Sequence, residues 1–175
     1  LRNTGILPVQ GLDTLKIASL IIGRSGVSSF QKMLENYTQV DHYSLSKDAT
    51  PQEWANIKLK LKNYNLVICG IQGINIYPSS KYGTTEIQRK AVAQIINENN
   101  SIVAFFGNAY ALKHFENIHQ ANGLILAYQN STLTQELSAQ LIFGAFDANG
   151  KLPVTIDHRF KLNDGIEMQQ NSCLG

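Results

Sequence analysis

The chain has 175 residues, 43% of them hydrophobic and 16% charged, with 15 Lys and Arg against 13 Asp and Glu for a net charge of +2. That is one domain of ordinary size with enough apolar residues for a buried core. Its scattered cations leave no footprint for nucleic acid or an anionic membrane, and no apolar run approaches the roughly 20 residues of a membrane span.

The first element is LKIASLIIG (Leu15 to Gly23), a continuous apolar run of the kind buried on both faces of a parallel sheet. After a Gly/Ser turn, Phe30, Met33, Leu34 and Tyr37 fall at helical spacing and predict a short helix lying on that sheet. Val40 to Leu45 is a weaker strand. Thr50-Pro51-Gln52-Glu53 then starts a helix, with a Thr/Glu capping box, Pro at the first position, and Trp54, Ile57 and Leu61 inward. NLVICGI (65–71) is the third strand. Beyond a long polar loop, Thr85 with Gln88 caps a helix whose inner stripe is Ile87, Ala91, Val92, Ile95 and Ile96. SIVAFF (101–106) is the fourth strand, Asn108 caps a helix carrying Leu112 and Phe115, and GLILAY (123–128) is the fifth strand. Thr132 with Gln135 predicts a capping box for the last helix, with Leu133, Leu137 and Leu141 as its apolar face. Gly144 and Asp147-Ala148-Asn149-Gly150 stop it, and LPVTI (152–156) suits an edge strand because Pro153 supplies no ladder donor.

Strands alternating with helices predict an α/β fold: a three-layer α/β/α sandwich on a mostly parallel sheet of five to six strands, with an edge strand near 152–156 and right-handed crossovers. Its core should hold Ile17, Leu20, Ile21, Val67, Ile68, Ile102, Val103, Phe105, Leu124, Ile125 and Leu126. Residues 157–175 are polar and lose periodicity, so the domain is expected over 1–156, with a tail or linker after it.

Ligands of such sheets bind outside the carboxyl ends of the strands. The turns 23–29, 71–85, 107–111 and 129–131 hold neither acid nor His, and only Asp48 is expected to bring a carboxylate near that rim. The candidate binding residues are Arg24, Gln72, Asn75, Lys81, Tyr82, Asn108 and Asn130, joined by Tyr77 and Tyr110; amides, hydroxyls and rings bind or stack on a sugar but do not move protons at neutral pH. No catalytic residue is expected. Gly23-Arg24-Ser25-Gly26 matches neither G-x-G-x-x-G nor G-x-S-x-G, so a plain tight turn is favoured over an anion loop or a Ser25 nucleophile. Cys69, inside an apolar run, reads as an inert core thiol, and Cys173 lies in the tail; a disulfide framework is not expected. His114 and His119 lack metal-ligand spacing and read as solvated or capping residues, so no metal or other cofactor is expected. Asp157-His158-Arg159 are neighbours on extended chain that face opposite ways. For Tyr77, Tyr82 and Tyr110, stacking on a sugar and covering loop bases remain open.

The helix QNSTLTQELSAQLIFGAF (129–146) followed by NGKLPVTI (149–156) resembles the second, α/β-sandwich domain of glycoside hydrolase family 3, in its β-N-acetylglucosaminidase-like branch. The opening LRNTGILPVQGLDTLKIASLIIG (1–23) and the turn FGNAYAL (106–112) are similar to the same domain, so the resemblance spans residues 1–160. It implies a preceding (β/α)8 barrel in the same parent chain that carries the catalytic Asp nucleophile. Glucosidase-type members place an acid/base Glu in the loop after the third strand; here that loop reads IQGINIYPSSKYGTT (71–85), with no acid. N-acetylglucosaminidase-type members take the acid/base from a His/Asp pair on a barrel loop. The implied function is a non-catalytic supporting domain of a β-N-acetylglucosaminidase or β-hexosaminidase, packed on its barrel and facing an amino-sugar glycan. The opening without Met reads as a start within a longer, exported protein, periplasmic or extracellular. Two other readings stay open from the residues: a flavodoxin-like nucleotide or phosphate-binding module using Arg24, and a cysteine-dependent hydrolase using Cys69.

Overall fold

A computed structural model describes residues 2–169. Five apolar runs form the parallel strands β2 (Ile17–Ile22), β3 (Val40–Leu45), β4 (Leu66–Ile71), β5 (Ser101–Phe105) and β6 (Gly123–Leu126). A two-residue strand, β1 (Arg2–Asn3), joins them antiparallel, giving the order β1-β6-β5-β4-β2-β3. Helices α1 (Ser29–Leu34) and α4 (Thr132–Ile142) cover one face; α2 (Pro51–Leu61), α3 (Glu86–Glu98) and three short 3-10 segments cover the other. The result is the three-layer sandwich that the alternating periods predict.

Two apolar clusters, one on each face, form the core. All the expected core positions are buried except Leu126, which is half-buried near the rim. Each such Ile or Leu withdrawn from water contributes about 2 kcal/mol of transfer free energy, which is what fixes helices as short as α1 onto the sheet. The capping boxes at Thr50/Glu53 and Thr85/Gln88 form as expected, and Pro51 sits in the first turn of α2. The segment after Asn108 is a 3-10 helix (Ala109–His114), with Asn108 accepting the Tyr110 N–H.

Three expectations differ. The last helix is capped by Ser131 with Thr134 instead of Thr132 with Gln135, because Gln135 faces inward. Its Oε1 accepts the Phe30 N–H at 3.2 Å and its amide donates to Asn130 at 2.9 Å. That rotation buries Ser138, Ala139 and Ile142 and leaves Leu133 65% and Leu137 39% exposed. The expected edge strand near 152–156 is not in the sheet. β1 occupies the free edge of β6, and Leu152 instead pairs its backbone with Asn163 and Asp164. Finally, residues 157–169 of the expected tail lie against the domain. Phe160 is buried, and Arg159 donates to the carbonyls of Lys113, Phe115 and Glu116. Cys173 is outside the described residues.

Candidate functional site

The order of the parallel strands puts the topological switch between β2 and β4, whose crossovers leave on opposite faces; a doubly wound sheet opens its ligand crevice there. In this chain protein fills that place. Gly23, at φ +109, runs so close to Gln72 that an added Cβ would lie 2.1 Å from the Gln72 carbonyl oxygen, which itself accepts from Gln88 Nε2. The Lys47 ammonium bridges the carbonyls of Gly73 and Gly83, closing the other side. Three N–H groups at the first turn and the start of α1 are also occupied: Gly26 donates to Ser44 Oγ, Phe30 to Gln135 and Gln31 to Ser28. Arg24 is exposed and its Nε donates only locally, to the Ser25 carbonyl. These three N–H donors are therefore not available to a phosphate at the start of α1.

The seven candidates all lie at this carboxyl edge, and three of them hold their own turns. Asn75 accepts the Tyr77 N–H, Asn108 accepts the Tyr110 N–H, and Asn130 accepts from Gln135. Tyr82 is 5% exposed, so its ring packs inward and offers no stacking face; Tyr77 and Tyr110 are exposed. Lys81 is exposed on a turn in which Lys81, Tyr82 and Gly83 all have positive φ, 51, 58 and 70. Gln72 is 1% exposed, and both polar atoms of its side chain lack a hydrogen-bond partner among the described residues.

Carboxylates at the rim do not pair. Asp48 is exposed, and the starts of α2 and α3 bring Glu53 and Glu86 to the same end, two acids that turn-by-turn reading of the sequence misses. A shallow cavity of about 310 Å³ between β3 and α2 is lined by Ser25, Ser44, Ser46, Glu53 and Asn56. Its one acid, Glu53, accepts the Thr50 N–H at 2.6 Å and the Thr50 hydroxyl at 2.9 Å, and these bonds hold its carboxyl below the usual range. An ionised, capped carboxylate is a poor proton donor to a leaving group, and hydrolysis of a glycosidic bond ordinarily uses two carboxyl groups flanking it.

Elsewhere, Cys69 is wholly buried in β4 and burial pushes its thiol up to about 12, which leaves no thiolate for nucleophilic attack. A serine–histidine–carboxylate sequence of hydrogen bonds, missed in the sequence because its members come from β2, β3 and the end of α1, joins Ser19, His42 and Glu35, with Ser19 fully buried. His114 and His119 are half-buried, each with one ring nitrogen that has no partner among the described residues. The described residues contain no group of three metal-binding side chains, and none of the helices is long and apolar enough to cross a membrane.

No family model and no curated protein matches the sequence. Solved structures do match in fold. A fungal multi-domain glycoside hydrolase family 3 β-N-acetylglucosaminidase, with a GCN5-related glucosamine N-acetyltransferase region, aligns at TM-score 0.68 and 21% identity over 90% of this chain and 17% of its own. A family 3 β-N-acetylglucosaminidase from Paenibacillus sp. gives 0.67 and 15% over 89% of this chain and 30% of its own. A β-glucosidase from Listeria innocua gives 0.64 and 14%, over 89% and 24%. The chain thus has the fold of the C-terminal region of these enzymes and spans less than a third of their length.

Proposed function

We propose that this chain is the C-terminal α/β domain of a glycoside hydrolase of family 3 and does no bond cleavage itself. It packs its carboxyl edge on a (β/α)8 barrel of the same, exported parent protein, and that barrel carries the catalytic groups. The observation that carries the reading is the surface of the rim. Of the ten large apolar side chains exposed among the described residues, six lie in the carboxyl-edge turns or the first turn of α4: Val27, Ile76, Tyr77, Tyr110, Tyr128 and Leu133. An apolar surface gathered at the edge where ligands and partners meet such a sheet suits a docking face, and a lone free domain has no need of it. The β-N-acetylglucosaminidase type, and with it a β-linked N-acetylglucosamine glycan at the rim, is favoured because the 71–85 loop contains no acid.

The coding sequence upstream of Leu1 tests this. The proposal expects a (β/α)8 barrel with an Asp nucleophile there; an unrelated domain, or none, overturns it.

A further inference from the structure

Apart from the docking face, one flank of the rim gathers cations that take part in no ion pair among the described residues. Arg89, in the first turn of α3, holds one guanidinium nitrogen on the Thr84 carbonyl at 2.9 Å and on Thr84 Oγ1 at 2.8 Å. Thr84 Oγ1 donates in turn to the Lys81 carbonyl at 2.9 Å, so the guanidinium and the Lys81 turn are tied through one residue. Next to Lys81, the buried Tyr82 ring has the Lys113 ammonium 5.8 Å from its centroid and the His114 ring tilted against it at 5.9 Å. The four ion pairs among the described residues involve none of Lys81, Arg89 and Lys113. The nearest acids in sequence, Glu86 and Glu116, are both exposed and make no ion pair among the described residues.

Like charges brought together without a counterion repel, and a fold keeps them so where something negative is received. Two further observations point that way. Lys81 is held out on a turn of three consecutive left-handed residues, and two of these, Lys81 and Tyr82, bear side chains that disfavour that conformation. His114 Nε2 is buried and has no partner among the described residues, an unsatisfied ring nitrogen beside the cluster.

We propose that Lys81, Arg89, Lys113 and His114 form an oxyanion-binding site on the flank of the rim, for the carboxylate or phosphate of an acidic sugar. It stands on the cluster itself and does not depend on the family 3 reading. Consistent with it, His114 is held below its usual range by burial first and then by Lys113, Arg89 and Lys81, so all three cations act on this one ring. A bound anion adds a negative neighbour and reverses that effect.

The test follows the His114 ring by proton NMR in the full chain while inorganic phosphate, D-glucuronate or neutral N-acetylglucosamine is added at constant ionic strength. A saturable shift with phosphate, glucuronate or both, with the His114 titration midpoint moving up, supports the site. Response to phosphate alone assigns a phosphorylated source, and response to glucuronate alone a carboxylated one. Lys81→Asn, which tolerates the left-handed turn, and Lys113→Gln each weaken binding about tenfold. A ring that responds no more than to chloride, or an affinity unchanged in both variants, overturns the proposal.

Discussion

Ser19 Oγ lies 2.6 Å from His42 Nδ1, and the other ring nitrogen of His42 lies 2.9 Å from Glu35 Oε1. The connectivity is that of a serine hydrolase triad, but its setting is not. Ser19 is in the middle of β2, paired with His42 of β3 on one side and Ile68 of β4 on the other, so no backbone N–H near it is free to hold an oxyanion. Its hydroxyl is wholly buried and also accepts from Gln31 Nε2 at 3.0 Å. The bonds therefore tie α1 to the two strands beneath it. A fluorophosphonate probe is expected to leave Ser19 unlabelled, and His42→Ala to lower unfolding free energy by about 1 kcal/mol, the cost of one buried hydroxyl losing its acceptor. Labelling mapped to Ser19 would contradict this.

Two glycines of the first turn separate steric demand from conformational strain. Both have positive φ, but Gly23 faces the Gln72 backbone at 2.1 Å, whereas Gly26 has nothing within 4 Å of an added Cβ. Gly26→Ala meets only backbone strain and should cost about 1 kcal/mol. Gly23→Ala must also push β2 and β4 apart at their ends and should cost at least about 3 kcal/mol. Urea unfolding of both variants checks the order.

Arg159 fastens the segment after residue 156. It pairs with Asp157 at 2.6 Å and reaches three carbonyls of the 113–116 stretch. Burial by itself raises the Asp157 carboxyl, but hydrogen bonds from Arg159 outweigh it and hold the group below its usual range. A carboxyl depressed by folding contributes stability above its unfolded value, about 4, and that contribution is lost as pH falls through the folded value. Arg159→Ala is expected to cost about 2 kcal/mol near neutrality, with the gap from the parent chain narrowing below about pH 4. A gap that widens in acid would refute the pairing.

The sandwich was legible because its strands are uninterrupted apolar runs and two helix starts, Thr50 and Thr85, carry capping boxes beside clear apolar stripes. The last helix was misjudged on its own terms. Leu133, Leu137 and Leu141 are the apolar residues at helical spacing, yet Gln135 is the residue that finds partners in Phe30 and Asn130, contacts more than 100 and five residues away in sequence. The edge strand failed for a similar reason, since β1 reaches β6 from the far end of the chain. Asn108 was readable as a cap, but periodicity says nothing of which other side chains a turn consumes for itself, and Asn75 and Asn130 are such residues.

The outward face of α4 gives a prediction that core reasoning would not. Leu133 and Leu137 have no buried role, so Leu133→Asp with Leu137→Asp should change unfolding free energy by less than about 1 kcal/mol. The same pair should reduce binding of an apolar dye and self-association, measured by fluorescence and light scattering. A large loss of stability would mean the face is already packed in the free chain.

The carboxyl edge is proposed to dock on a barrel without cleaving a glycosidic bond. Purified chain incubated with an aryl N-acetyl-β-glucosaminide and an aryl β-glucoside measures that directly. No release of the aryl group above buffer is expected, and Asp48→Asn and Glu86→Gln should leave that result unchanged. Turnover that is abolished by either substitution would contradict it.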